Sequence, residues 1–308
     1  MSSWLSNSDC IPWLAVLILE CLVIVVLNII TIIVFVKQRQ LQRQSTYLII
    51  HLAIVDLLVG AVSGPLQIDR NVIFICGLRN YRVPNSTWSY YVRIALLHLF
   101  SFTSVVNLMF VSLERLHATF RPFRHRFVKK WIYGIIITVI WLTTTARESA
   151  QIVFKEKGYS HFHIDSILYI PFYIISIVII CSSYILIVVK VRCSRHPYHH
   201  GVAGQRERKL TSTSLIVALV SLLCYLPVIT FITLDLFNVQ LFVDISWRSF
   251  IHIRMTVALT FLSNSIVNPV IYALRLPGFR AGISQIFRCT TSNRAIHPDL
   301  PLRNLRPA

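Results

Sequence analysis

The chain has 308 residues, 55% of them hydrophobic and 14% charged, with a mean hydropathy of +0.66 and a formal net charge of +18. Soluble domains carry about 25% charged residues, so the composition excludes an ordinary soluble fold and points to a multi-pass membrane protein. The positive excess would suit nucleic acid, but its distribution serves membrane topology, and no nucleic-acid partner is expected.

A membrane-spanning helix needs about 20 mostly apolar residues. After a short tail over 1–12, the apolar stretches predict a bundle over 13–274, with helices at 13–36, 46–69, 89–117, 130–150, 166–191, 208–236 and 248–274. The fourth core, Trp131–Thr145, is short and must borrow Ala146 and Ala150. Pro277-Gly278-Phe279-Arg280 opens an amphipathic segment over 277–289, and the proline- and arginine-rich residues 290–308 read as a disordered tail. No cleavable leader is expected, because the first apolar run is span-length and the first basic residue is Lys37. The fold class is an all-α membrane protein: seven transmembrane helices and a short cytoplasmic eighth helix on the membrane surface.

Most of the 30 lysines and arginines fall in segments 37–45, 114–130, 190–209 and 275–308, which hold three acids, Glu114, Glu207 and Asp299. That asymmetry follows the positive-inside rule, places the N-terminus outside and the C-terminus inside, and matches basic segments to anionic lipid. Asn85-Ser86-Thr87 is a glycosylation sequon in a loop assigned outside. Of seven cysteines, Cys10 and Cys76 fall on the oxidising side, where a disulfide persists. Cys289 follows the amphipathic stretch, either as a palmitoylation site or as an idle thiol. His196, His199 and His200 share one inner loop, but no acid or cysteine completes a metal site there, so a solvated loop is the simpler reading.

The seventh stretch ends in Asn268-Pro269-Val270-Ile271-Tyr272. A proline inside a membrane helix removes a backbone donor and frees a carbonyl that other groups must satisfy. Together with this motif, Leu27-Asn28, Leu52-Ala53-Ile54-Val55-Asp56-Leu57-Leu58 with Pro65, Glu114-Arg115-Leu116 with Arg121-Pro122-Phe123, Trp141, Pro171 and Cys224-Tyr225-Leu226-Pro227 stand in one order and spacing. In that register the chain resembles the rhodopsin-like G-protein-coupled receptors over about residues 14–289. The resemblance implies a plasma-membrane receptor that binds an extracellular ligand and signals through a heterotrimeric G protein and arrestin, with no enzymatic chemistry.

It also implies a sodium pocket at Asp56, Ser104, Asn264, Ser265 and Asn268. A carboxylate with neutral oxygens suits a hard cation, and an intramembrane carboxylate marks a functional site by default. The alternative is a protonated Asp56 bonded to Asn28 and Asn268 as helix–helix glue. Arg115 is implied to pair with Glu114 and with Glu207 as an ionic latch, or else it is an interfacial arginine that snorkels. Tyr225 and Pro227 are implied to couple ligand contact to motion of the sixth helix, with Pro269 and Tyr272 completing the switch; simple packing is the alternative for Tyr225. Neither Trp88–Arg93 nor Arg147–Ser166 contains the cysteine of the family's outer disulfide, which leaves Cys10–Cys76 as a substitute clamp. Ile179 and Ser221 replace two switch aromatics.

Leu262 stands where opsins attach retinal, and Leu97 where amine receptors keep an aspartate, so neither light nor a biogenic amine is expected. Arg93, Leu97, His98, Tyr225 and Arg254 are the expected pocket residues, with Arg147 also near the outer ends. Arginines in a partly dry pocket suit an anionic small molecule or short peptide, unless they serve salt bridges or lipid headgroups. The competing readings are a transporter or channel with its ion site at Asp56, a non-signalling receptor-like protein, and a membrane enzyme. Transporters show internal repeats, which are not visible here, and no converging catalytic cluster supports an enzyme.

Overall fold

The computed structural model describes residues 6–38, 41, 46–78, 87–157, 161–193, 202–236 and 245–292. Among them the chain forms eight long helices: α1 Asn7–Lys37, α2 Thr46–Phe74, α3 Thr87–Phe120, α4 Lys130–Glu156, α5 His161–Cys193, α6 Val202–Leu236, α7 Trp247–Arg275 and α8 Pro277–Ser292. A short turn of helix, Pro122–Arg126, follows α3. Some boundaries lie beyond the apolar cores. Helix α1 begins at Asn7 rather than 13, with Asp9 in its first turn, where an acid favours the helix dipole. Helix α8 carries on through residues 290–292, where the sequence suggests a disordered tail.

The chain is a multi-pass membrane protein. Six helices among the described residues, α1, α2, α3, α5, α6 and α7, are long and apolar enough to cross a bilayer. The seventh expected span is α4, 27 residues long but diluted by threonines. Their polarity is contained, because Thr138, Thr143, Thr144 and Thr145 donate to carbonyls of Gly134, Val139, Ile140 and Trp141 one turn back. Leu19, Leu142, Ile175, Ile185, Leu223 and Leu274 are exposed around the outside. So much outward apolar surface fits lipid and not water.

Helix α3 is central, packing on α2, α4, α5 and α6, while α1 closes the ring against α2 and α7. Trp141 Nε1 donates to His51 Nε2 at 3.0 Å, which fixes α4 on α2. The principal core, near the ends of α3 and α5 that carry Arg115 and Cys193, gathers Phe35, Leu52, Leu108, Tyr184, Ile271, Tyr272 and Phe279. Phe279 docks α8 there, with ring centroids 5.6 Å from Phe35 and 6.2 Å from Tyr272.

Helices α1 and α2 meet where α2 lacks side chains. A π-helical turn over Val59–Ser63 precedes Pro65, which has no N–H and disrupts regular bonding. A Cβ placed on Gly60 would lie 2.8 Å from Ile24 Cγ2 and 3.0 Å from the Cys21 carbonyl oxygen. The carbonyl belongs to backbone and cannot rotate away. Gly60→Val should therefore cost about 1–3 kcal/mol, read as a melting midpoint lowered by several degrees in nanodiscs. An unchanged midpoint would mean that α1 and α2 do not approach this closely.

Candidate functional site

Asp56 lies on α2 with none of its surface exposed. Its carboxylate accepts from Ser104 Oγ of α3 at 2.9 Å, from Ser265 Oγ of α7 at 3.0 Å and from Asn268 Nδ2 of α7 at 2.6 Å. Three of the four residues expected beside it are thus on its oxygens. Asn264 is turned away, and its amide donates to the Tyr225 hydroxyl at 2.6 Å. Asn28 does not bond Asp56 either. Its Nδ2 donates to the carbonyls of Ile24, at 2.9 Å, and Ser265, at 3.0 Å.

That second bond follows from the proline. Pro269 has no N–H to offer the carbonyl one turn back, which is that of Ser265. Asn28 supplies the missing donor from α1, so the defect in α7 becomes a link between helices. The carbonyl oxygens of Asn28, Asn264 and Asn268 are buried without a hydrogen-bond partner. Beside the carboxylate and two hydroxyls, the Asn268 oxygen suits a hard monovalent cation, so these residues fit the implied sodium. No group of three or more His, Cys, Asp or Glu fit for a metal occurs among the described residues.

Tyr225 is buried, in T-shaped contact with Phe261 at 5.7 Å and tilted against Tyr173 at 5.8 Å. Its hydroxyl carries the contact to Asn264, so it does more than pack. Pro227 sits inside a continuous α6. Ser221, two positions from Leu223 on the same helix, is fully buried with an unpaired hydroxyl.

At the other end of α3, Arg115 is 1% exposed, which rules out snorkelling. Its Nε donates to Glu114 Oε2 at 2.6 Å. The other Glu114 oxygen accepts from His125 Nε2 at 2.6 Å and, more weakly, from Tyr133 at 3.4 Å. His125 was not foreseen as a site residue; the pairing crosses the helix break at Arg121-Pro122 and leaves no periodic signal. Glu207 is on α6, and its side chain lies outside the described residues, as does that of Cys289. Tyr272 packs edge-on to Phe35 at 5.5 Å, in one core with Tyr184.

The expected pocket residues do not all converge. Leu97 is buried and His98 faces Tyr169 at 5.6 Å. Arg93 instead points outward, its side chain 56% exposed and paired with Asp69 at 3.2 Å. It was expected in the pocket as an arginine near the outer ends that suits an anionic ligand; Asp69 of α2 pairs with it instead. Arg254 is half-buried on α7. Cys10 and Cys76 form a disulfide between α1 and the end of α2, beside an Asp9–Arg248 ion pair of 2.6 Å and a Trp13–His252 hydrogen bond of 2.9 Å. Asn85 and the histidines 196, 199 and 200 lie outside the described residues.

Helices packed around a buried carboxylate, with an arginine–glutamate pair at the end of α3, are consistent with a membrane receptor. The profile of the 7 transmembrane receptor (rhodopsin family) matches residues 27–272, and the chain belongs to that family. It is similar to the Substance-K receptor of Mus musculus, 24% identical over 90% of this chain and 75% of that protein. It also resembles the QRFP-like peptide receptor of Branchiostoma floridae, 21% identical over 85% of this chain and 73% of the relative. Neuropeptide receptor 22 of Caenorhabditis elegans is 24% identical over 93% and 70%.

The Tyr225–Asn264 bond is the direct tie between α6 and α7 at this depth, and removing one buried partner leaves the other unsatisfied. Tyr225→Phe should cost about 1–3 kcal/mol, and pairing it with Asn264→Ala should reveal a coupling of at least about 0.5 kcal/mol by double-mutant cycle. Additive effects on the melting midpoint would show that the two side chains act separately.

Proposed function

We propose that this chain is a plasma-membrane peptide receptor that opens the Arg115 ends of α3 and α6 to activate a heterotrimeric G protein. The Cys10 end then faces outside, as the charge asymmetry suggests. A peptide ligand is favoured by relatives whose names specify peptides or neuropeptides. Leu262 and Leu97 speak against retinal and an amine.

The observation that carries this reading is the buried path from Tyr225 through Asn264 to the Asp56 cluster, which joins α6, α7, α2 and α3. Tyr225 bonds Asn264, and Ser265 and Asn268 on the same helix bond Asp56, so motion of α6 is passed to the carboxylate through α7. Ligand contact that shifts the Tyr173–Tyr225 aromatic pair disturbs Asn264, and through α7 the hold on Asp56. At the inner end, Glu114 holds Arg115 closed, and His125 and Tyr133 hold Glu114. Releasing Arg115 uncovers a surface edged by Phe123 and Phe127, which are exposed beside Arg121 and Arg124. Apolar rings among cations suit a partner with an amphipathic, acidic segment.

When bound, sodium would neutralise Asp56 and favour the closed bundle. Asp56, Ser104, Ser265, Asn264 and Asn268 are the residues that would hold it. Sodium should raise the melting midpoint and depress basal activity relative to a larger organic cation at equal ionic strength. Asp56→Asn should erase both effects; a sodium response that survives the substitution would refute the site.

Basal and ligand-driven nucleotide exchange, measured with purified G proteins of each class, tests the coupling. Arg115→Ala should remove most exchange. His125→Ala should raise the basal rate, by about tenfold if the closed state loses about 1.4 kcal/mol of holding. Exchange that never depends on Arg115 would sink the signalling reading.

A further inference from the structure

Arg147 on α4 carries chemistry that the switch does not use. It is 8% exposed, with its guanidinium carbon 3.8 Å from the centre of the Phe102 ring of α3 and 3.9 Å from that of Tyr169 of α5. Phe172 stands further off at 5.9 Å. One nitrogen, Nη1, donates to Glu148. The other two, Nε and Nη2, are buried and make no hydrogen bond. Gln151 accepts from the Tyr169 hydroxyl at 3.1 Å and so fixes the ring that forms one wall.

Nε and Nη2 form the side-on fork of the guanidinium, two parallel donors in one plane. Arginine remains protonated at any accessible pH. A desolvated cation with its fork unpaired is unfavourable, and the geometry that satisfies it is two coplanar oxygens on one carbon. Phe102 and Tyr169, whose ring centroids lie 4.9 Å apart, flank the guanidinium on adjoining sides and give the site apolar walls. Glu148 already offsets the charge of Arg147, so a carboxylate adds one net negative charge to the site where a phosphate dianion would add two.

We propose that Arg147 anchors the carboxylate of the ligand in an aromatic slot between α3, α4 and α5. The group comes either from the terminus or an acidic side chain of a peptide, or from a free aryl acid. The proposal rests on the receptor reading for its outward orientation, but its test requires no G protein.

The full chain in nanodiscs, in a buffer without carboxylates, is melted with 3-phenylpropionate, with its amide, with the dipeptide Ala-Phe as free acid, and with Ala-Phe amide. The acids should raise the midpoint by on the order of 5 °C at a hundredfold excess over the dissociation constant, and the amides should not. A larger effect of the peptide acid assigns the source to a peptide terminus, and a larger effect of 3-phenylpropionate to a small acid. Arg147→Gln should abolish the acid preference, and Arg147→Lys, which keeps the charge without the fork, should retain only a minor part. Equal or absent shifts for acid and amide overturn the proposal, as does an acid preference that survives Arg147→Gln. If neither variant folds, the acid–amide comparison on the unaltered chain decides alone. Loss of the acid effect with intact Arg115-dependent exchange would refute the slot and leave the receptor reading standing.

Discussion

Burying Asp56 sets the register of this bundle. A carboxylate in hydrocarbon is tolerated only if donors surround it, and here they come from Ser104 on α3 and from Ser265 and Asn268 on α7. One turn of slip in α3 would replace Ser104 by Phe100 or Leu108, and one in α7 would replace Ser265 by Phe261 or Pro269. Apolar packing alone is far less selective, because Leu, Ile and Val exchange at small cost. Asn28 extends the constraint to α1 through the carbonyl that Pro269 leaves unbonded.

Helix α6 is attached differently. It packs closely on α7 and only lightly on α3. Its polar tie in the middle of the bundle is Tyr225 to Asn264. Ser221 contributes an unpaired hydroxyl where an aromatic would fill volume, and Pro227 weakens the helix just beyond. Of the four helices that pack on α3, α6 is the one held most lightly and so the one that can move against it, and Asn264 is where that motion meets the Asp56 cluster.

How far the sequence disclosed all this depended on the kind of signal. Asp56 was legible because an isolated carboxylate in an apolar run is costly, whereas its partners were named only through the family resemblance. The eight helices were legible from hydropathy, except at ends such as Asn7, where an ion pair and a disulfide hold residues that composition leaves polar. Pairings across breaks were not legible. His125 reaches Glu114 around the Arg121-Pro122 corner, and Tyr225 reaches Asn264 between two chains of side chains with unrelated periodicity. Arg93 misled because charge and position near a helix end do not say which neighbour stands opposite; Asp69 decides it.

The two halves of the Cys10 end of the bundle are built with opposite mechanics. On one side, the Cys10–Cys76 disulfide, the Asp9–Arg248 pair and the Trp13–His252 bond lock α1, α2 and α7 to one another. On the other, α3, α4 and α5 meet through stacked rings around one cation, contacts that adjust by sliding. Tyr225 belongs to the aromatic group, beside Phe102, Tyr169 and Tyr173, while its hydroxyl is bonded to the locked half. A displacement in the aromatic half cannot be shared by α1, α2 and α7, because their ends are tied. It reaches the polar bonds that cross between the halves, among them Tyr225 to Asn264 and Ser104 to Asp56, at the carboxylate on which the register depends.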